Sequence, residues 1–152
     1  MKIITQNKKA FFDYEIFERL EAGIVLNGNE VKSIRMGHIS LLGAFAHIKD
    51  GELYLVNASI TPYSKAYQKK DEEAARSRKL LVHKKELNRL IGDISRKGIT
   101  VMPLKVYLND KGLIKIELGI CKHKKSTEKK QALKERDIKR ETSRELKNIR
   151  KD

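Results

Sequence analysis

The chain has 152 residues, enough for one domain with a full hydrophobic core and too few for a second domain of ordinary size. Lys and Arg outnumber Asp and Glu by 34 to 20, and the formal net charge of +14 indicates a polyanionic partner. No run approaches the roughly 18 consecutive apolar residues of a membrane span, no signal-peptide core follows Met1, and the single cysteine, Cys121, excludes an internal disulfide and a cysteine-based zinc site. We therefore expect a cytoplasmic protein in which Cys121 is a small buried hydrophobe.

The first elements are an ambiguous segment and a short helix. Residues 14–26, YEIFERLEAGIVL, fit both a helix start and a bent strand. Residues 29–37, NEVKSIRMG, predict one helical turn that opens at Asn29, whose side chain can cap the first free amides. Its apolar residues would share one face, and Lys32 and Arg35, three residues apart, would lie at the neighbouring edge. We interpret it as a small plug with a polar rim; a connector with merely solvated charges is the alternative.

A hairpin and a basic loop follow. Ala44–Ile48 and Glu52–Val56 flank KDG at 49–51, a pattern typical of two strands and a tight turn. Ser64–Leu81 has no consistent period over its first half, so we expect a mobile surface loop as far as Ala74. Beyond it, cations alternate sides of an extended chain before apolar residues enter the core: Arg76, Arg78 and Lys79, then Leu80, Leu81 and Val82. Guanidinium groups suit phosphate because they give two parallel hydrogen bonds; a solvated loop base is the alternative.

One helix and a second hairpin complete the body. The apolar residues of 83–98, HKKELNRLIGDISRKG, fall at i, i+3, i+4 and i+7 and predict a helix that ends before Gly98. This stripe consists of Leu87, Leu90, Ile91 and Ile94, with Arg96 and Lys97 in the last turn. Thr100–Leu108 and Leu113–Ile120, joined by NDKG, predict two paired strands. Pro103 inside the first strand indicates an edge or a bulge.

These elements predict a mainly β fold. Short strands of regular spacing, glycine-marked corners and a single helix across one opening are typical of a small closed barrel. The oligonucleotide-binding (OB) barrel is the commonest such solution, and an open α+β sandwich is the alternative. We expect an OB-like closed β-barrel over residues 1–121, with a capping helix and short helices.

Residues 122–152 are expected to form a basic C-terminal tail. They carry 13 Lys and Arg against 6 Asp and Glu, which is half of the chain's net charge, and they contain no aromatic residue, proline or glycine. Their few large apolar residues do not make a helical stripe: Leu133, Ile138, Leu146 and Ile149. The tail should be disordered when free and helical on an anionic partner, since helix formers dominate it. A solvated charged tail is the alternative.

The sequence offers little for catalysis. It contains no zinc-protease HExxH, P-loop, G-x-S-x-G or dinucleotide glycine fingerprint. The histidines are scattered without metal-ligand spacing: His38, His47, His83 and His123. We expect no enzyme, no cofactor and no metal site, and an RNA or DNA binder instead. A metal-dependent nuclease, whose carboxylates would converge on strand ends, is the alternative.

Several strings resemble one family closely. They are residues 7–37, NKKAFFDYEIFERLEAGIVLNGNEVKSIRMG; 60–63, ITPY; 76–87, RSRKLLVHKKEL; 98–107, GITVMPLKVY; and 134–141, KERDIKRE. Together they resemble the small protein B family, the SsrA-binding proteins of bacterial trans-translation. The resemblance covers nearly the whole chain, and the string from EAG to RMG is its most specific part.

The resemblance implies a function. Members of this family are OB-like barrels that bind the tRNA-like domain of transfer-messenger RNA (tmRNA) and help it enter a ribosome stalled on an mRNA without a stop codon. It implies a tail that enters the decoding centre and the mRNA channel of the stalled 70S ribosome as a helix, and elongation factor Tu as a partner through the tmRNA complex. It implies no membrane partner. A general ribosome-associated OB-fold RNA-binding or RNA-chaperone protein is the alternative.

The resemblance also implies two sets of binding residues. The RNA-binding set is Asn7, Lys8, Glu21, Lys32, Ser33, Arg35, Arg76, Arg78, Lys79 and Leu81. The ribosome-binding set of the tail is Lys124, Lys125, Lys129, Lys130, Lys134, Arg136, Lys139 and Arg140. Because a carboxylate repels phosphate, Glu21 should accept hydrogen bonds from base edges or hold a neighbouring cation.

Two positions depart from the family pattern. Thr127 stands where a residue that stacks on a decoding-centre base is expected, which makes His123 a candidate for that stacking. Ala74 stands where the family often has a proline before the arginines.

Overall fold

A computed structural model describes residues 1–62, 74–95 and 98–124. All of the predicted loop before Ala74 and the tail beyond Lys124 lie outside these described residues, as do Arg96 and Lys97. The strands are β1 (Lys2–Gln6), β2 (Tyr14–Ile24), β3 (Ile39–Ser40), β4 (Phe45–Lys49), β5 (Glu52–Val56), β6 (Ser59–Ile60), β7 (Arg78–Leu81), β8 (Ile99–Leu108) and β9 (Ile114–His123). The helices are α1 (Lys8–Asp13), α2 (Gly28–Arg35) and α3 (Lys84–Ile94).

Six strands close into a ring of antiparallel pairs. In order around the ring they are β8, β4, β5, β7, β2 and β9, and β9 pairs back with β8. The closure passes through Val101, which lies opposite Ala46 of β4 on one edge of β8 and opposite Ile120 of β9 on the other. β1 extends the sheet along the end of β8, and β3 pairs with β6 separately. The mainly β prediction is confirmed, and the pairing closes as a small barrel requires.

Bulges account for two features of the sequence. The ambiguous segment is a bent strand, β2, whose register against β9 shifts between Ile16 and Glu18. Leu20 and Ala22 of β2 are buried, which is the alternation of a half-buried strand. In β8 the register shifts between Pro103 and Lys105, so the prediction of a bulge is confirmed.

The plug helix α2 begins earlier than predicted. Its N-cap is Asn27 rather than Asn29, because the Asn27 side chain accepts from the backbone N–H of Glu30 at 2.9 Å. The Glu30 carboxylate in turn accepts from the backbone N–H of Asn27 at 3.1 Å, which completes a capping box. Ile34 is fully buried in the core, while Lys32 and Arg35 are exposed at the rim.

The other predicted helix and the core are as expected, with one correction. The apolar stripe of α3 buries Leu90 completely, and Gly98 follows with a φ of +88°. Cys121 is fully buried, which confirms the prediction of a small buried hydrophobe, and this burial raises the pKa of its thiol to about 11. The prediction that Leu81 enters the core is wrong: its neighbour Leu80 is buried, so strand alternation turns Leu81 outward with 51% of its surface exposed.

Candidate RNA interface

Of the two cations of α2, Arg35 lies beside the turn that joins β8 to β9. Arg35 donates from its guanidinium to the backbone carbonyl of Gly112 at 3.3 Å. Both Lys32 and Arg35 lie in the last turn of the helix, where the negative end of the helix dipole favours cations. The contact fixes the C-terminal end of α2 against the hairpin and directs positive charge towards the space between them.

That space is an open groove of about 300 Å³, here called the α2 groove. Its lining includes Gly23, Arg35, Leu81, Leu113 and Lys115. Leu81 and Leu113 are about half exposed, so the groove offers apolar surface between two cations. Lys115 forms no ion pair within the part of the chain that the structure describes. Apolar surface flanked by cations suits the sugars, bases and phosphates of a nucleic acid.

Gly23 keeps this groove open. A Cβ atom at residue 23 would lie 3.4 Å from Cβ of Leu81 and 3.8 Å from Nζ of Lys115. The missing side chain therefore leaves room between an apolar residue and a cation, and no backbone strain at residue 23 requires glycine.

Glu21 lies on the same face of β2 as Gly23, two residues away. It is exposed and opposes Glu117 of β9. The Glu117 carboxylate is bound by Arg19 at 3.2 Å and by Lys105 at 3.3 Å, whereas Glu21 accepts a hydrogen bond from the Tyr107 hydroxyl. Among the described residues Glu21 therefore holds no cation. Of its two expected roles, accepting hydrogen bonds from base edges is the one this geometry favours.

Three residues of the RNA-binding set have buried side chains. Asn7 caps α1 by accepting from the backbone N–H of Ala10 at 3.2 Å, and it donates to the carbonyl of Pro103 at 3.0 Å. Ser33 faces the interior, and Arg78 is fully buried. The structure thus places these three beneath the surface rather than on it.

Arg78 belongs to an ion network around Glu30. Its Nε donates to Oε2 of Glu30 at 2.5 Å, and Arg76 donates to Oε1. The remaining guanidinium nitrogens of Arg78 donate to the carbonyls of Ala58, Arg76 and Ala74 at 2.9 to 3.0 Å. Burial opposes ionisation of Glu30, yet hydrogen bonds from the Asn27 backbone, Arg78 and Arg76 hold its pKa below its usual value. The network ties α2 to the strand β7 that carries Leu81.

Sequence reasoning missed Glu30, Lys115 and Tyr107. The signal for Glu30 was the N-x-x-E pattern from Asn27, which predicts a capping box. Lys115 is on the solvent-facing side of its strand, but only the tertiary fold brings it into the lining of the same groove as Arg35.

The other predicted residues lie apart from the α2 groove lining. Lys8 is exposed on α1, and Lys79 on β7 binds Glu52 at 3.0 Å. His123 packs edge-on against the ring of Tyr14, with ring centroids 5.0 Å apart. Of the tail set only Lys124 is described, and its backbone N–H donates to the carbonyl of Asp13 at 2.9 Å. The other members of the tail set lie outside the described residues: Lys125, Lys129, Lys130, Lys134, Arg136, Lys139 and Arg140.

The described residues contain no candidate metal centre and no candidate membrane span. Over residues 1–62, 74–95 and 98–124, no three His, Cys, Asp or Glu side chains come together in a way that could hold a metal ion. None of the helices in these ranges is long and apolar enough to cross a membrane.

Comparison with known proteins identifies the family. The SmpB protein family matches residues 4–148. The SsrA-binding protein of Coprothermobacter proteolyticus is 47% identical over 145 residues, which is 95% of this chain and 97% of the relative. That of Enterococcus faecalis is 47% identical over 150 residues, 99% of this chain and 96% of the relative. A solved structure presented as "tmRNA-SmpB: a journey to the center of the bacterial ribosome" is 50% identical, with a TM-score of 0.65 over 80% of this chain and 85% of that chain. The resemblance seen in the sequence is confirmed, and the chain belongs to the SmpB family.

Proposed function

We propose that this protein is an RNA-binding adaptor that binds the tRNA-like domain of tmRNA and delivers it to stalled ribosomes for trans-translation. The observation that carries the proposal is similarity over nearly the full length to SsrA-binding proteins, together with similarity over 80% of this chain to a chain solved in a tmRNA-SmpB structure. The basic groove beside α2 supplies a physical means of binding. The protein binds and positions RNA, and it catalyses no reaction of its own.

We assign the RNA contacts to the surface around the α2 groove. Arg35 and Lys115 would bind phosphates, because their charges flank an open space. Leu81 and Leu113 would contact sugars or base faces, since half of each side chain is exposed. Glu21, beside the groove, would accept hydrogen bonds from donor groups of the RNA. The buried members Asn7, Ser33 and Arg78 would support this surface from beneath.

The tail has a separate proposed role. Residues 122–152 hold half of the net positive charge, and their cations would bind ribosomal RNA in the decoding centre and the mRNA channel. Elongation factor Tu would join through the tmRNA complex rather than through a surface of this protein. A site of action on the ribosome implies a cytoplasmic location.

Binding to two RNAs tests the proposal. The full chain and a truncation after Lys124 are compared on a tRNA-like-domain transcript and on an ordinary tRNA at about 0.15 M salt. The truncation keeps all of β9 and the hydrogen bond from Lys124 to Asp13. We expect both proteins to prefer the tRNA-like domain, with only the full chain active on stalled ribosomes. If neither protein discriminates, or if only the tailed protein binds, the chain is a general ribosome-associated RNA-binding protein.

A further inference from the structure

Tyr107 reaches across a whole strand to contact Glu21. In the sheet, Tyr107 of β8 lies opposite Lys115 of β9, and Lys115 lies opposite Gly23 of β2. Two strand spacings amount to roughly 10 Å, so the phenol ring must extend along the outer face of β9 to bring its hydroxyl to Glu21. Only 6% of the Tyr107 surface remains exposed. This ring is therefore held in one place, and its hydroxyl is a fixed donor.

The two carboxylates of this face have different partners. Glu117 lies between the cations of Arg19 and Lys105, which compensate its charge. Glu21 receives a neutral hydroxyl on Oε2 and no cation among the described residues. A neutral donor orients a carboxylate without cancelling its charge. Among the described residues Oε1 of Glu21 has no hydrogen-bond partner, so it is available as a strong acceptor two residues from Gly23 of the α2 groove.

Burial, and then the Glu21 carboxylate, raise the pKa of Tyr107 well above its usual range. The hydroxyl therefore keeps its proton at any pH at which the protein would bind RNA. It is therefore able to donate to the Glu21 carboxylate throughout that range.

We propose that Tyr107 is a positioning residue for RNA recognition, whose hydroxyl fixes the Glu21 carboxylate so that Oε1 accepts a hydrogen bond from an amino or hydroxyl group of the RNA. This inference rests on the proposed function. Exocyclic amino groups of bases and ribose 2′-hydroxyls are donors of the required kind, while phosphate is repelled. The pair thus adds selectivity that cations alone lack, because cations bind the phosphates of any RNA.

The test removes the hydroxyl and keeps the buried ring. The variant Tyr107→Phe is compared with Tyr54→Phe, a matched control whose hydroxyl also donates to a glutamate, Glu52, at 3.4 Å. We expect Tyr107→Phe to weaken binding to the tRNA-like-domain transcript by roughly two- to tenfold, the effect of one hydrogen bond, and to change binding to ordinary tRNA less. The slope of log K against log salt should stay unchanged, because no phosphate contact is lost. Tyr54→Phe should alter neither affinity.

A double-mutant cycle separates positioning from a structural role. In the background of Glu21→Gln, the further change Tyr107→Phe should have no effect on RNA affinity, because each substitution alone already disrupts the same Tyr107–Glu21 hydrogen-bonded pair. If the losses of affinity in the two single variants add up in the double variant, Tyr107 does not act through Glu21 and the inference is overturned. If Tyr107→Phe lowers the affinity for both RNAs equally and also lowers the Tm, Tyr107 serves stability alone, which overturns the inference as well. Unchanged affinity in Tyr107→Phe, while the wild type prefers the tRNA-like domain, would also overturn it. A wild type without that preference would overturn the proposed function and the inference together.

Discussion

Arg78 is fully buried, and its Nε donates to Oε2 of Glu30 at 2.5 Å across the junction between β7 and α2. A buried cation of this kind is tolerated only with its counter-charge, because desolvation of an unpaired ion costs several kcal/mol. The pair joins the strand that carries Leu81 to the helix that carries Arg35. The two elements that carry these groove residues are thus joined by a buried ion pair.

Replacing Glu30 by Gln should destabilise the fold strongly. Gln at this position can still complete the capping box with Asn27, so the substitution removes the ionic contacts to Arg78 and Arg76 without removing the cap. We expect the free energy of unfolding in urea to fall by about 3 kcal/mol, since a buried charge is left without its partner. Glu52→Gln, which breaks the exposed pair with Lys79, is the control and should cost less than about 1 kcal/mol. An equal decrease in the free energy of unfolding of the two variants would contradict a stabilising buried ion pair at Glu30.

The same contact predicts a dependence of stability on pH. The pKa of Glu30 is lower in the folded protein than in the unfolded chain, so its contribution is present above the unfolded value of about 4.3 and is lost as the pH falls towards the folded value. Urea unfolding at pH 6 and pH 3.5 should therefore show a smaller acid loss for Glu30→Gln than for the wild type. Parallel losses in both proteins would assign the acid sensitivity to other carboxylates.

Lys115 should contribute to RNA affinity through charge. If it binds one phosphate, Lys115→Gln should reduce the slope of log K against log salt by roughly 0.7 to 0.9 and weaken binding to different RNAs similarly. The measurement is a salt titration of binding to the tRNA-like-domain transcript. Lys49→Gln, in the exposed end of β4, removes the same charge away from the groove and should leave the slope unchanged. A slope that changes equally in both variants would indicate general attraction by net charge.

Filling the α2 groove should impair binding without unfolding the protein. In Gly23→Val the new Cβ makes only ordinary contact with Leu81 at 3.4 Å, and Val suits a strand. We expect the affinity for the tRNA-like domain to fall about tenfold, equivalent to about 1.4 kcal/mol, with an unchanged Tm.

Gly119→Ala on β9 is the control, a substitution that should lower stability without filling the groove. Its Cβ would lie 2.9 Å from Cδ1 of the fully buried Leu104, so the Tm should fall while the groove stays open. If Gly23→Val lowers the Tm as much as Gly119→Ala does, the groove interpretation is wrong.

Local patterns were enough to predict much of this molecule. The 3.6-residue stripe through Leu90 predicted α3, and the alternation around NDKG predicted the β8 and β9 pair. Pro103 indicated the bulge because it cannot donate to a ladder. These features depend on neighbours in the chain, so the order of residues alone carries them, and the family strings rest on the same order.

Contacts between residues distant in the chain could not be predicted from such local patterns. The alternation of side chains along β7 predicts that Arg78 and Leu80 share a face of the strand. Only the closed ring of strands makes that face the interior, so that Leu81 on the opposite face points towards the groove. A buried arginine is predictable only when its acceptors are known, and Glu30, Ala58 and Ala74 come from three separate segments.

The sequence by itself determined the family, the charge and the local elements of this protein, since each is a property of composition or of short-range order. The tertiary structure alone decided which residues of the RNA-binding set face outward, and it alone brought Tyr107 to Glu21 across β9. The physical reason is that burial and cross-strand pairing are set by register and closure, which join residues far apart in the chain, such as Tyr107 and Glu21 at 86 positions.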